Sequence, residues 1–388
     1  MSASVPRKRL PVKPSLENLR KQTKRLAKRR DLPLAKAQQT LAREYGCKNW
    51  AQLAHMVETM LRGSDQLAWV KYEKEPLVEA AMKKDKARLL EVLAAGEFTQ
   101  HDLDLSLARS VMFSHGAPDE VAMNRELAEI LLEHGADPDG QYGSDSGPIV
   151  LCTGECLDPA GLQFYVDAGA DIAFPPVDTK YGKASILGHA LSSYNRGRNP
   201  QKHRLIEMLL ELGAAIPGGY TPELMAIHRG DVSRLAELID ADPGLVARRL
   251  PEETPGSNMD LRGATLLHLA VEFGEIECVD FLIERGADIN ARSGLFDGIG
   301  GQTPVFHAIA TSGDGNFYML EHLAGKYGPR IDMTISVTWR AYTEIQPVPR
   351  TPVEQGLYAA RPDGPFFKYR HKAAEELAIL RKLASIGP

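Results

Sequence analysis

Apolar positions in this chain recur in pairs of short helical segments. In residues 275–285 the apolar residues follow the 3.6-residue period of one helix face: Ile276, Val279, Leu282 and Ile283. A shorter apolar stretch over residues 266–273 precedes it and starts after Thr265. Gly274 lies between the two stretches, and glycine commonly ends a helix because it accepts a left-handed backbone. The pattern predicts two short helices joined by a tight turn.

This pairing of helices recurs along the chain. Four copies close with a Gly-Ala dipeptide, at Gly135, Gly169, Gly213 and Gly286, and the first two of these glycines are 34 residues apart. A fixed period of about 20–50 residues is typical of stacked repeats, whose units bury their apolar faces against their neighbours. We count about eight units over residues 75–388, several of them degenerate, near 75–97, 102–140, 146–176, 183–218, 220–250, 260–297, 300–333 and 350–386.

The best-preserved unit resembles an ankyrin repeat. That family has the pattern Gly-x-Thr-Pro-Leu-His-x-Ala, a helix-breaking glycine, a second helix, and Gly-Ala-Asp-x-Asn. The matching residues are Gly263, Thr265, Leu267, His268, Ala270, Gly274 and Gly286-Ala-Asp-Ile-Asn290, with Leu266 in place of the proline. The resemblance implies an all-α ankyrin-repeat solenoid of stacked helix-turn-helix units with β-hairpin or loop connections. It also implies a scaffold that binds another protein through its concave face.

Charge divides the chain into a basic head and an acidic remainder. Residues 1–48 contain 14 Lys and Arg against three acidic residues, a net charge of +11, and the rest has 32 basic and 48 acidic residues, a net charge of −16. We expect residues 1–14 to be a disordered basic tail and residues 15–62 to form a module of three helices. The head resembles a helical module of bacterial ankyrin proteins, which implies a bacterial origin. The matching residues are 15–24, 37–38 and 41–50.

Two interpretations of the basic head remain open. Its first helix could neutralise nucleic-acid phosphates in a salt-dependent manner. The candidate residues are Arg20, Lys21, Lys24, Arg25, Lys28 and Arg29. Alternatively, the head is a capping bundle whose basic face stays solvated or docks on the acidic repeats.

Few residues offer a catalytic or metal-binding arrangement. Cys152 and Cys156 would need two further ligands to hold zinc, so we interpret them as buried small apolar residues. The resemblance implies that His268 bonds locally to steady a turn, and His307 falls one residue past the equivalent position. His134 precedes a helix-ending glycine, where it favours a cap. Without a phosphate-loop, hydrolase or zinc-protease motif, we predict no enzyme, no catalytic residue, no metal and no cofactor.

Composition also bears on the compartment. No apolar run approaches the roughly 18 residues that span a bilayer, and residues 1–14 lack the apolar segment of a secretory signal. Four cysteines in 388 residues do not form a disulfide framework. We therefore expect a cytoplasmic protein without a membrane partner.

Long connections between units are the candidate binding elements. Successive repeat threonines lie 44, 38 and 48 residues apart, from Thr221 to Thr351, whereas a usual ankyrin repeat has about 33 residues. Apolar alternation in residues 335–345 predicts a long hairpin. The candidate protein-binding residues in these connections are Leu295, Phe296, Trp339 and Tyr342. The alternative is that the apolar face of the hairpin packs back on the helices.

The sequence thus favours a non-enzymatic scaffold or adaptor that binds another protein through its concave face and long loops. The alternative is a nucleic-acid-associated regulator, in which the basic helices bind DNA or RNA and the repeats recruit a protein partner.

Overall fold

The computed structural model of the 388-residue chain describes most residues between 16 and 386. Within these limits, the residues outside the description are 31, 46–49, 51–52, 55–56, 58–74, 97, 111–116, 140–147, 155, 173–176, 180–181, 194–199, 253, 255–259, 297, 313–315, 340–347 and 361–371. The expected boundary between the basic module and the repeats, near residues 62–75, falls largely among them.

The basic module begins with two helices, α1 (Leu16–Arg30) and α2 (Leu34–Glu44). Its buried core is built from its own residues, which are Leu19, Leu26, Ala37, Leu41, Ala42, Leu53 and Val57. Thr23 is also buried, and its hydroxyl donates a hydrogen bond to the carbonyl of Leu19 at 2.8 Å. The apolar side of α1 is therefore used inside the module.

Eight consecutive helix pairs follow in the described residues. Their helices are α3 (Pro76–Met82), α4 (Lys86–Ala95), α5 (Gln100–Arg109), α6 (Pro118–Glu133), α7 (Pro148–Gly154), α8 (Pro159–Asp167), α9 (Ile186–Leu191), α10 (Pro200–Glu211), α11 (Pro222–His228), α12 (Val232–Ala241), α13 (Leu266–Phe273), α14 (Ile276–Glu284), α15 (Pro304–Thr311), α16 (Phe317–Tyr327), α17 (Pro352–Ala359) and α18 (Ala373–Ile386).

Local chemistry sets the helix ends. Several first helices of a pair begin with proline, whose missing N–H would be unpaired at that position. Gly274 closes α13 with a left-handed φ of 78°, as the sequence predicts. Asp231 caps α12, because its side chain accepts the backbone N–H of Arg234 at 2.9 Å.

The chain divides into two compact units. The first comprises Met1–Leu151, Phe164–Asp171 and Val177–Lys183, and the second comprises Cys152–Gln163, Ile172–Pro176 and Ala184–Pro388. In the second unit one hydrophobic core runs from α11 to α18, so neighbouring helix pairs share their apolar faces.

Polar side chains also link one repeat turn to the next. In the first unit, the carboxylate of Asp104 accepts the backbone N–H of Asp137 at 2.7 Å, and burial raises the pKa of this carboxyl. In the second unit, Asn290 donates to the carbonyl of Arg330 and accepts the N–H of Asp332, both at 2.8 Å. These bonds fix the register of successive turns.

Short strands project from the connections. β1 (Val177–Thr179) pairs with β2 (Gly182–Ala184). A four-stranded antiparallel sheet, called the finger sheet here, has the order β3 (Leu295–Phe296), β4 (Ile299–Gly300), β5 (Val337–Trp339) and β6 (Val348–Arg350). The hairpin predicted near residues 335–345 is thus a pair of three-residue strands, and β5 also pairs with the preceding connection through Gly300 and Thr338.

Candidate protein-binding surface

The tip of the finger sheet presents an exposed leucine on a tightly packed backbone. Leu295 is 68% exposed. Its strand lies close to Gly300, whose φ is +126° and at which a Cβ atom would lie 2.1 Å from the carbonyl oxygen of Gly294. Because only glycine permits this approach, the turn that carries Leu295 has little room to rearrange.

Phe296 lies beside Leu295 and is half-buried. The guanidinium of Arg262 is stacked 4.2 Å from the centre of its ring, an arrangement that attracts a cation to the aromatic face. Asp260 holds Arg262 in place through paired hydrogen bonds, 2.9 Å and 2.5 Å long.

Two further arginines join successive connections. Arg249 Nη1 donates to the carbonyl oxygens of Arg292 and Gly263, the latter at 3.2 Å. Arg292 Nη2 donates in turn to the carbonyl of Ser336 at 2.9 Å. Both arginines are exposed, and no carboxylate among the described residues forms an ion pair with either. Each guanidinium is therefore held in place by neutral acceptors.

Arg249, Arg262, Arg292, Leu295 and Phe296 together are called the finger surface. The structure brings two of the four predicted protein-binding residues, Leu295 and Phe296, to this surface. Arg249 and Arg292 could not be assigned from their spacing, because their partners are backbone carbonyls up to 44 residues away.

The other two predicted binding residues lie in or near the second half of the finger sheet. Trp339 ends β5, where its backbone pairs with Val348, and Tyr342 lies outside the described residues. On the same alternating face, Val337 is buried in the core and Ile335 packs against it. This part of the face packs on the helices, as the alternative interpretation expects.

His268 is buried in a polar network. His268 Nδ1 accepts the N–H of Thr265 at 3.1 Å, and its Nε2 lies 3.0 Å from the carbonyl of Gln302 in the next repeat. Burial and the neighbouring His307 hold the pKa of His268 well below its usual value. The network confirms the expected local role of His268 in steadying the turn.

Comparison with known families agrees with the repeated helix pairs of the fold. A family model described as ankyrin repeats matches in three copies, over residues 197–293 and 245–335. The chain contains ankyrin repeats. No curated protein matches the chain. Among solved structures, the human ASB11 ankyrin repeat domain aligns at 18% identity over 60% of this chain and 90% of that chain, with a TM-score of 0.34.

One polar pair of the ankyrin array was not predicted. His307 Nδ1 donates to the Glu272 carboxylate at 2.8 Å, and both side chains are fully buried. Asn316 supports the same region by donating to the carbonyl of Val271 at 2.8 Å. Glu272 lies one turn after His268 in an otherwise apolar helix, and this isolated carboxylate is the signal that could have revealed the pair.

His134 and Cys152, which the sequence analysis also considered, contact nearby backbone carbonyls. His134 Nδ1 lies 2.7 Å from the carbonyl of Ile130 at the end of α6, which agrees with the predicted cap. Cys152 is buried and donates to the carbonyl of Asp158 at 3.1 Å, and burial raises the pKa of its thiol. Cys156 is half-buried and forms no disulfide with a described cysteine.

Metal clusters and membrane-spanning helices are both absent from the described residues. Their His, Cys, Asp and Glu residues form no group of three or more that could hold a metal ion. None of their helices is long and apolar enough to cross a membrane.

Proposed function

We propose that the ankyrin array binds another protein through the finger surface and the adjoining concave face, and that it does so as a non-enzymatic scaffold. Ankyrin repeats are generally protein–protein interaction modules. The observation that carries the proposal is Leu295, which is 68% exposed on a closely packed turn. An exposed apolar side chain on a rigid support can be buried by a partner at little cost in conformational entropy.

The chemistry around Leu295 favours an acidic partner segment. Arg249 and Arg292 present guanidinium groups that carbonyl oxygens already hold in position. Arginine pairs with carboxylates through parallel hydrogen bonds, and a held guanidinium loses less freedom on forming them. The preferred partner is therefore an extended segment that carries acidic residues near an apolar anchor.

Affinity capture from the native host tests this proposal. The full chain and the variants Leu295→Ser, Arg292→Gln and Trp339→Ala are compared. The control is Leu212→Ser, because Leu212 is also an exposed leucine of the second unit but lies after α10. Loss of the same partner from the Leu295 and Arg292 variants, with the control unaffected, is the expected result. Unchanged recovery by all three variants, with intact folding, would contradict the proposal.

A further inference from the structure

The basic residues of α1 lie opposite its buried side. Leu19, Thr23 and Leu26 are buried in the core of the module. Seven cationic side chains on the same helix are exposed, and one of them, Arg30, falls on the buried side by helix register. The other six are Arg20, Lys21, Lys24, Arg25, Lys28 and Arg29. Successive residues of a helix turn by about 100°, so these cations cover an arc of about 180° centred opposite the buried residues. By helix register this arc also contains one acidic residue, Glu17, in the first turn of α1. The outer half of α1 therefore carries six cations and one acid.

Little among the described residues neutralises this charge. No described residue forms an ion pair or a hydrogen bond with the side chain of Arg20, Lys24, Arg25, Lys28 or Arg29, and Lys21 alone of the six has a side-chain interaction. Like charges on one helix repel one another, so an external polyanion is the natural partner for this face.

The arrangement of cations around α1 favours some classes of polyanion over others. A helix that lies on a lipid surface buries an apolar face in it, but the apolar side of α1 is occupied by the core of the module. A flat anionic surface would also reach only part of a 180° arc. In a groove with phosphates on both walls, phosphates can contact the cations over the whole arc. The major groove of B-form DNA is about 12 Å wide and accepts a helix of about 10–12 Å diameter, whereas the major groove of double-stranded RNA is too narrow for side-chain access.

We propose that α1 binds in the major groove of duplex DNA. Arg20 and Arg29 lie at opposite margins of the arc and contact phosphates of the two strands, and the lysines between them face the groove. This function is separate from protein binding by the finger surface, because α1 belongs to the basic module and not to the ankyrin array.

Fluorescence anisotropy of the full chain tests the proposal, with a random 24-base-pair duplex DNA, the matching duplex RNA, and vesicles that contain phosphatidylserine. If all six cations contact phosphates, the logarithm of the DNA association constant falls against the logarithm of salt concentration with a slope of about −5. DNA is expected to bind more tightly than either other probe.

Variants connect the binding to α1. The double substitution Arg20→Gln/Arg29→Gln is expected to make the slope shallower by about 2. The charge-preserving variant Arg20→Lys/Arg29→Lys is expected to keep it. The matched control Arg381→Gln/Lys382→Gln removes two exposed charges from α18 and is expected to change nothing. Circular dichroism checks that each variant retains its helix content.

Several results would overturn the proposal. They are absence of DNA binding at 50 mM salt, binding that is unchanged in the Arg20→Gln/Arg29→Gln variant, RNA binding as tight as DNA binding, and vesicle binding as tight as DNA binding. The last result would assign the surface to anionic lipid instead.

Discussion

His307 and Glu272 form a fully buried hydrogen-bonded pair between consecutive ankyrin repeats, with Nδ1 and Oε2 separated by 2.8 Å. Each residue belongs to the first helix of its repeat, α15 and α13 respectively. The pair therefore joins the two repeats through a polar contact inside an apolar core.

Removal of one partner of this pair is expected to destabilise the array strongly. His307→Leu removes the Nδ1 donor from the buried Glu272 carboxylate, and the loss of one partner of a buried pair costs about 3–5 kcal/mol. The double variant Glu272→Met/His307→Leu is expected to be more stable than His307→Leu, because it removes both polar groups together. Equilibrium urea unfolding measures both values. A single variant within about 1 kcal/mol of wild type would show that the pair does not hold the repeats together.

His268 is expected to make stability fall in mild acid. Burial depresses the pKa of His268 in the folded protein, so below the unfolded-state value of about 6.5 the unfolded chain binds more protons than the folded chain. The contribution of neutral His268 to the free energy of unfolding is complete above that pH. It is lost as pH falls towards 5, by up to about 1.4 kcal/mol per pH unit. Urea unfolding between pH 5 and pH 8 measures the profile. The profile of His268→Asn is expected to be shallower, and an equally steep profile would exclude His268 as the cause.

Gly300 and Gly298 are expected to respond differently to alanine. Both have positive φ angles, but a Cβ atom at Gly300 would meet the carbonyl oxygen of Gly294 at 2.1 Å, whereas nothing lies within 4 Å at Gly298. Gly298→Ala should cost about 1–2 kcal/mol through backbone strain alone. Gly300→Ala should cost more, because the turn must also open. Thermal unfolding compares the two variants, and equal losses would contradict the packing of this turn.

The N-cap of α12 offers a matched pair of surface substitutions. Asp231→Ala removes the acceptor for the N–H of Arg234 and should cost about 1 kcal/mol. Glu237→Ala breaks the exposed ion pair with Arg234 on the same helix and should change stability by no more than about 0.5 kcal/mol. Urea unfolding of both variants tests the difference. A larger loss of stability from Glu237→Ala than from Asp231→Ala would contradict the assignment of Asp231 as the stabilising N-cap.

The bounds of the best repeat could be predicted because their causes are local. The predicted helix over residues 266–273 matches α13, and the predicted second helix over 275–285 differs from α14 by one residue at each end. The 3.6-residue apolar period, Thr265 before α13 and Gly274 after it all act within a few residues. The prediction was poorer for the connections, where no such period exists.

The finger sheet shows where the sequence pattern was insufficient. Alternation of apolar residues predicted strands near residues 335–345, but β6 begins only at Val348. The pairing of Gly300 with Thr338 joins two different connections. No local pattern specifies such a pairing, because it depends on how the repeats stack.

The sequence by itself determined the repeated helix pairs, the ankyrin resemblance and the cluster of basic residues in the head. Only the tertiary structure decided that Glu272 meets His307, that Arg249 and Arg292 join successive connections, and that the cations of α1 remain exposed. The physical reason is the range of the interactions. Helix periodicity and caps act between neighbours along the chain, whereas these contacts join residues 35 to 44 positions apart, and exposure depends on which face the core takes.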